Sequence, residues 1–213
     1  MSLHTESTSN KRFLIFAEGK LREKVAEGTP NAVLREGTTP SGEPFSKWEM
    51  VYPGITARIT SVELQKGNYG KQVLIHMTDE NDEQFTVALG ATTKNGTNFM
   101  QLLPNLDLTK EVTIKAFGDF KDKTGREVRG GLSVTQDGTK VYSYFYDADN
   151  KKNLHGMPEP EVDKRTKEVD WTTYFPIRDK WLMDYLLDNN FMTYVDGTTE
   201  AVDTTVSDSD ESF

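Results

Sequence analysis

The pattern that decides the fold begins at residues 55–64, which read ITARITSVEL. Every second residue from Ile55 to Ile59 is apolar, so these side chains share one face of a strand. The next apolar pair, Val62 and Leu64, continues the alternation on the opposite register. An extra residue inside a continuous strand is typical of a β-bulge, so we predict one long, bulged strand.

Further strands and one short helix follow in a regular order. Runs of alternating apolar residues, separated by turn chemistry such as Asp137-Gly138, predict strands. The predicted strands cover residues 73–77, 85–89, 112–116, 128–134 and 141–146. Between the third and fourth strands, the spacing of Phe99, Leu102 and Leu103 predicts a helix that ends at Pro104. Asn95 or Thr97 is its predicted N-cap.

The first three strands, the short helix and the next two strands are in the order of an OB-fold, a small Greek-key barrel that binds oligonucleotides. We therefore predict a mainly β protein. Its centre is a five-stranded OB-fold Greek-key barrel with a short helix between strands 3 and 4. A C-terminal helix and an acidic tail follow the barrel.

The segments before the barrel carry weaker patterns. Residues 1–10 are polar and rich in Ser and Thr, and the apolar run at 12–16 predicts a strand. Two apolar residues four positions apart predict a short helix over residues 18–27. Glycine and proline at residues 37–44 predict a loop.

The segments after the barrel are a linker, a helix and a tail. Residues 147–170 are polar and are predicted to form an excursion or linker. A helix is predicted from about Pro176, with proline in its first turn, to residues 189–190. Its apolar stripe consists of Ile177, Trp181, Leu182, Tyr185 and Leu186. We predict one domain over residues 1–196 and a disordered acidic tail over 197–213.

Charge is distributed unevenly along the chain. There are 25 Lys and Arg against 34 Asp and Glu, which gives a formal net charge of -9. Eight of these anions lie at or after Asp184, beyond the last cation at Lys180, so residues 1–183 are close to neutral. The sequence pI of about 4.9 is therefore a poor guide to the partners of the folded body.

Composition also limits the compartment and the chemistry. The chain has no Cys, which excludes disulfides, thiolate metal sites and cysteine nucleophiles. No apolar run has the length of a membrane span, and the first residues do not resemble a signal peptide. We expect a soluble, cytoplasmic protein.

Motifs for catalysis or metal binding are weak. His4, His76 and His155 are scattered and form no metal-binding spacing. Residues 67–71, GNYGK, lack the spacing and the Ser or Thr of a phosphate-binding loop. The carboxylates of residues 79–83 resemble the start of a calcium loop but lack its glycine. We predict a binding protein rather than an enzyme, with no cofactor and no metal.

Cations and aromatic residues are interleaved near the predicted turns, as in proteins that bind single-stranded nucleic acid. The candidate contacts to DNA phosphates are Lys66, Lys71, Lys115, Lys121, Lys123, Arg126, Arg129 and Lys140. The candidate stacking residues are Tyr69, Phe117, Tyr142 and Tyr144. Tyr69 occupies the tip of the first hairpin, where a ring has little to pack against.

Two interpretations of the tyrosines remain open. Tyr142, Tyr144 and Tyr146 share one face of the last predicted strand, and Val141 and Phe145 share the other. If Val141 and Phe145 point inward, the tyrosines line the outside and can stack on bases. Alternatively, the tyrosines cover the core against the C-terminal helix. Phe117 is likewise either a stacking residue or part of the core.

The C-terminal residues 208–213, DSDESF, together with the barrel order at residues 48–146, resemble bacteriophage single-stranded DNA-binding proteins of the replication type. The resemblance implies sequence-independent binding of single-stranded DNA in phage replication and recombination, in the cytoplasm of an infected cell. It also implies that the tail docks on replication proteins such as a DNA polymerase and competes with DNA. Those roles fall on Asp208, Asp210, Glu211 and Phe213. Self-association as a dimer remains open.

Two other functions compete with this interpretation. An acidic DNA mimic that inhibits a host nucleic-acid enzyme needs the tail but no basic groove. A metal nuclease would use the carboxylates of residues 79–83. Titration of labelled oligo-dT, with and without EDTA, distinguishes binding, absence of binding and cleavage.

Deletion of residues 197–213 should tighten the binding of single-stranded DNA, most clearly at low salt, because anions that compete for the groove are removed. The measurement is an oligo-dT titration over a range of salt concentrations. Unchanged affinity after the deletion would exclude competition between tail and DNA.

Overall fold

The computed structural model describes residues 11–39, 42–67, 70–118, 120–121, 127–128 and 130–196, and these residues form a mainly β protein. The strands are β1 Arg12–Ala17, β2 Lys20–Lys24, β3 Val33–Thr38, β4 Pro44–Tyr52, β5 Gly54–Gly67, β6 Gly70–Thr78, β7 Gln84–Gly90, β8 Glu111–Phe117, β9 Phe120–Lys121, β10 Glu127–Val128, β11 Gly131–Gln136, β12 Thr139–Lys140, β13 Tyr146–Asp147, β14 Lys152–Asn153 and β15 Thr193–Val195. The helices are α1 Lys94–Leu102 and α2 Trp171–Asp188, and a 3₁₀ turn covers Leu103–Asn105.

The long, bulged strand predicted from residues 55–64 is confirmed. Ala57 and Ile59 are buried before the bulge, and Val62 and Leu64 are buried after it. The register between β5 and β6 shifts between Ile59 and Ser61. The bulge therefore keeps apolar side chains in the core along the whole strand, although their spacing in the sequence changes phase.

β5 is central to the sheet. Its first residues pair with β8, its remainder pairs with β6, and β15 adds in parallel at residues 63–65. The strand order across the main sheet is β12-β11-β8-β5-β6-β7-β1-β2-β4-β3. The predicted succession of three strands, a helix and two further strands corresponds to β5, β6, β7, α1, β8 and β11.

Hydrogen bonding does not close the sheet within the described ranges. A closed barrel needs a last strand that pairs with the free edge of β7. Here the N-terminal strand β1 pairs with that edge in parallel, from Arg12 opposite Phe85 to Ile15 opposite Ala88. The segment before the predicted barrel is therefore part of the sheet, and β2, β4 and β3 extend it further.

The hydrophobic core lies between the sheet and the two helices. Phe99 and Met100 of α1 and Leu182 and Leu186 of α2 are fully buried in one cluster with apolar residues of β5, β6 and β8. α1 contacts β7, β11 and α2. Phe145 is also fully buried. The C-terminal helix thus covers the same core as α1. No helix among the described residues is long and apolar enough to cross a membrane.

The predicted helix over residues 18–27 is wrong, because this segment forms β2. Glu18 and Gly19 both have positive φ angles, of 50° and 67°, and turn the chain back on β1. Leu21 is then paired with Phe16 and completely buried. Its i, i+4 spacing to Val25 suggested a helix, but pairing with a neighbouring strand decides the conformation.

Both helices begin earlier than predicted. Thr93 caps α1 by accepting a hydrogen bond from Gly96 N at 3.2 Å, so neither Asn95 nor Thr97 is the cap. Asp170 caps α2 by accepting from Thr173 N at 3.1 Å and from the Thr173 hydroxyl at 2.6 Å. These local side-chain bonds satisfy the first backbone donors. Pro176 consequently lies in the second turn of α2.

The predicted strand over residues 141–146 is also wrong. Val141 N still bonds to Val134 O, but Tyr144 N bonds to Gln101 O and so turns towards α1. The predicted strand over residues 128–134 is divided between β10 and β11. The excursion over residues 147–170 contains the β13–β14 pair and a single bridge between Val162 and Val169. The predicted loop at 37–44 is shorter, since β3 and β4 extend into it.

A buried ion-pair cluster holds β2, β3 and β4 together. Glu49 is 1% exposed and accepts hydrogen bonds from Arg22 at 3.1 Å and from two nitrogens of Arg35 at 2.8 Å each. Burial alone would raise the pKa of Glu49. The hydrogen bonds and charges of Arg35 and Arg22 outweigh burial and hold this pKa below its usual value.

Glu49→Gln should lower the free energy of unfolding at neutral pH by about 3–5 kcal/mol, because two partly buried guanidinium groups lose their counter-charge. A carboxylate with a depressed pKa stabilises the fold above its unfolded-state pKa, and this stabilisation is lost as pH falls through the folded-state pKa. The difference between the two proteins should therefore shrink in acid. Urea unfolding from about pH 3 to pH 7 measures it, with exposed Glu36→Gln as the control. Equal losses for both variants would contradict the ion-pair account.

Candidate nucleic-acid interface

The end of the β5–β6 hairpin places two lysines side by side. Lys66 and Lys71 are directly opposite each other in the register, and both are exposed. Neither forms an ion pair with any residue that the structure describes. Directly opposed like charges on neighbouring strands are destabilising. Tyr69, at the predicted tip of this hairpin, lies outside the described residues.

This hairpin is hydrogen-bonded to the segment that connects β7 to α1. Lys71 O accepts a bond from Ala91 N at 2.9 Å, directly after β7. The first turn of α1 lies against the end of β7, so closely that a Cβ atom at Gly96 would overlap Gly90 O. Glycine at position 96 therefore sets the close approach of helix and strand.

The ends of β8 and β11 meet α1 from the other side. Lys94 donates to Gly130 O at 3.1 Å. Gly131 pairs with Phe117, and a Cβ atom on Gly131 would stand 3.4 Å from Asn95 Oδ1. Asn95 Oδ1 is buried and has no hydrogen-bond partner among the residues that the structure describes. The connection from β8 to β11 is thus anchored beside the first turn of α1.

The β1–β2 turn completes this group of segments. Gly19 packs directly on Gly118, so that a Cβ atom on Gly19 would overlap the Gly118 backbone. The sheet therefore folds back until β2 approaches β8, although no backbone hydrogen bond among the described residues joins them. We call these segments the junction; its residues are 18–19, 70–71, 90–96, 117–118 and 130–131.

Lys115 and Phe117 lie in or next to the junction. Lys115 is exposed on β8, between Gly54 of β5 and Ser133 of β11. Phe117 is half-buried against Gly131. The backbone of Lys121 pairs with Glu127 in the β9–β10 ladder. Several predicted site residues lie outside the described part of the chain, namely Lys123, Arg126, Arg129, Asp208, Asp210, Glu211 and Phe213.

Two predicted residues lie at the opposite end of β11. Lys140 pairs with Thr135 in β12, and its Nζ is 5.4 Å from the ring centre of Tyr142. Tyr142 is 67% exposed and its carbonyl accepts from Asn105, just beyond α1. The structure therefore does not bring Lys140 and Tyr142 together with the junction.

Tyr144 is part of an aromatic cluster that covers the core. Its ring stacks on His155 at 3.8 Å and meets Phe145 edge-on at 5.1 Å. Phe145 in turn contacts Trp181 and Tyr185 of α2. Partial desolvation, followed by the hydrogen bond with Tyr144, raises the pKa of Tyr185. Tyr144 thus has the packing expected from the core-covering alternative, whereas Tyr142 and Tyr146 are exposed.

The acidic turn at residues 79–83 is stabilised by its own hydrogen bonds. Asp79 Oδ1 accepts from Asn81 N and Glu83 N, both at 2.9 Å. No group of three His, Asp or Glu side chains suited to a metal ion occurs in the part of the chain that the structure describes.

Comparison of the chain with protein-family models, with curated proteins and with solved structures finds no match in any of the three. Sequence reasoning missed Lys94, Gly19 and the close backbone contacts. In the sequence, the contacts could have been inferred from Gly118 and from the adjacent pair Gly130 and Gly131, which flank the connection between β8 and β11.

Gly19→Ala should destabilise the protein more than Gly28→Ala does. Both glycines have left-handed backbone angles, with φ of 67° and 81°, and alanine pays roughly 1–2 kcal/mol there. Only Gly19 also packs against another backbone, since nothing lies within 4 Å of a Cβ atom at Gly28. The excess loss in urea unfolding measures the contact between β2 and β8. Equal losses would show that the turn does not pack on Gly118.

Proposed function

We propose that this protein binds single-stranded DNA without sequence preference. The observation that carries the proposal is the direct opposition of Lys66 and Lys71 at the end of a hairpin that bonds to the junction. Two unneutralised cations at adjacent positions weaken the free protein. A polyanion that binds both of them relieves this repulsion and releases counterions from its phosphates.

The order of the strands around α1 supports the same function. The succession β5, β6, β7, α1, β8 and β11 follows the OB order, and the β1–β2 turn packs on the residue that follows β8. In OB-folds the loops between strands 1 and 2 and between strands 4 and 5 bind oligonucleotides. The corresponding connections here are residues 66–71 and 117–131. We infer an OB-type barrel that β1 extends rather than closes.

The chemistry of the junction suits a phosphate backbone. Lysine offers a compact point charge and does not read the edges of bases. Lys66, Lys71 and Lys115 therefore favour phosphates of any sequence. The glycine-rich segments at the junction let a strand approach the protein backbone closely. Bases are held by stacking on aromatic rings, which is tolerant of sequence. No catalytic group is needed for this function.

The acidic residues 197–213 extend the proposal to protein partners. On the resemblance to phage replication proteins, we assign Asp208, Asp210, Glu211 and Phe213 to docking on replication proteins such as a DNA polymerase. The setting is the cytoplasm of an infected cell. Apart from the resemblance, this assignment is supported by the concentration of anions after Asp184.

Lys66→Ala and Lys71→Ala should each weaken binding of oligo-dT and reduce the slope of log affinity against log salt by about 0.7, the value for one lost phosphate contact on a single strand. Each should also stabilise the free protein by roughly 0.2–1 kcal/mol, because the cross-strand repulsion is removed. Fluorescence titration and thermal unfolding measure the two effects.

Lys24→Ala is the matched control. Lys24 is exposed at the end of β2 that is far from the β1–β2 turn, and it should change neither quantity. If wild-type protein fails to bind oligo-dT at low salt, single-strand binding is excluded. If it binds but Lys66→Ala and Lys71→Ala match the control, the binding surface lies elsewhere.

A further inference from the structure

The first turns of α2 carry an aromatic column that the sequence did not reveal. Trp171 stacks on Phe175, with ring centres 5.5 Å apart and planes 21° apart. The guanidinium of Arg178 lies 4.7 Å from the centre of the Phe175 ring. These three residues are four and three positions apart, so they follow one face of the helix. We refer to Trp171, Phe175 and Arg178 as the column.

This face of α2 is the one that covers the core further along the helix. Leu182, four residues after Arg178, is completely buried. Trp171, on the same face, is 49% exposed. The helix therefore extends beyond the body that it packs on, and its first turns expose rings that would otherwise be part of the core.

The exposed end of α2 lies on the side of the junction. The two helices are in contact, and Asp179 of α2 faces Thr97 of α1. Burial raises the pKa of Asp179, and Arg178, followed by the Thr97 hydroxyl, partly opposes this rise. Further along both helices, Tyr185 of α2 meets the ring of Phe145 edge-on at 5.0 Å, and the backbone N of the preceding residue, Tyr144, donates to Gln101 O of α1 at 2.8 Å. The two helices thus run in the same general direction.

Helix lengths show how far the column extends. Trp171 precedes Asp179 by eight residues, or about 12 Å of helix, whereas α1 begins only about 4–5 Å before Thr97. The column consequently projects past the first turn of α1. That turn contacts Gly130 through Lys94 and belongs to the junction.

The column is held in place by polar contacts at its base. Arg178 donates to Asp179 Oδ1 at 2.9 Å and 2.6 Å, and Asp179 is 5% exposed. Tyr174 donates its hydroxyl proton to Pro158 O at 3.1 Å. Asp170 caps the helix one residue before Trp171. The column is therefore formed before any ligand arrives, which reduces the entropy lost on binding.

Exposed cations precede the column in the chain. Lys164, Arg165 and Lys167 lie in the turn between the bridged residues Val162 and Val169. Asp163 fixes this turn by accepting from Arg165 N at 2.6 Å and from Thr166 N at 2.9 Å. These cations alternate with the exposed carboxylates of Glu161, Asp163 and Glu168, so they offer single charge contacts to phosphates rather than a positive surface. Next to an exposed indole, such contacts can hold a single strand by its phosphates and a base.

We propose that Trp171 is a stacking site for a base of single-stranded nucleic acid, and that the column extends the bound strand from the junction onto α2. This inference rests on the proposed function and adds to it a contact on a helix outside the barrel order. A base stacked on the face of Trp171 that points away from Phe175 would add one more ring to the stack. The phosphates that flank this base reach the cations of residues 164–167.

The test is tryptophan fluorescence during titration with oligo-dT. Stacking on Trp171 should quench the wild-type emission. Trp171→Phe should remove most of this quenching, because the two remaining tryptophans, Trp48 and Trp181, are not part of the proposed stacking site. Trp171→Ala should weaken affinity by roughly 5- to 150-fold, and Trp171→Phe by much less, because the phenyl ring still stacks. Thermal unfolding of each variant verifies that α2 remains folded.

Ile177→Ala is the matched control, since Ile177 is 53% exposed on another face of the same helix. It should bind oligo-dT with the wild-type affinity and quenching. If Trp171→Ala binds as the wild type does while Lys71→Ala is weakened, the column is not a stacking site but the proposed function stands. If the wild-type protein binds no oligo-dT, both proposals fail.

Discussion

The architecture depends on backbones that touch where no side chain fits. Gly96 brings α1 against the end of β7, Gly130 brings β11 against β8, and Gly19 brings the β1–β2 turn against Gly118. The first two contacts are local in sequence, whereas the third joins segments about a hundred residues apart. Together these contacts bring the β1–β2 turn, the β7–α1 connection and the β8–β11 connection close to the first turn of α1. Strand pairing alone would not bring these three connections together. Glycine is the only residue that permits such approach at all three places.

Arginine and lysine have different tasks in this protein. Arg12, Arg22 and Arg35 are tied to Glu23 and Glu49 within the β1–β4 layer, where their forked hydrogen bonds bind strands together. Lys66, Lys71 and Lys115 have no such partners among the described residues and stay on the surface. The neutral body inferred from composition is therefore divided into a paired, structural set of charges and an unpaired set available to a ligand.

The sequence predicted what depends on local periodicity. The change of phase between Ile59 and Val62 predicted the bulge of β5, and the alternating runs predicted β6, β7 and β8. What it could not predict depends on partners distant in the chain. Leu21 is buried by β1 and β4, so β2 is a strand in spite of its helical spacing. β1 binds the edge of β7, so the sheet stays open. The exposure of Trp171 could not be predicted, because it depends on where the first turn of α1 lies relative to α2.

The parallel pairing of β15 with β5 decides where the chain leaves the sheet. Val195 lies opposite Gln65, so Asp196 follows beside Lys66. The chain beyond Asp196 is thus covalently attached beside the candidate site, and in the proposed competition its carboxylates would act at an effective concentration that dilution of the protein does not change. Under the proposed function, a strand of DNA would compete with a ligand of fixed local concentration. The tail would then lower the apparent affinity for DNA by the same factor at every protein concentration.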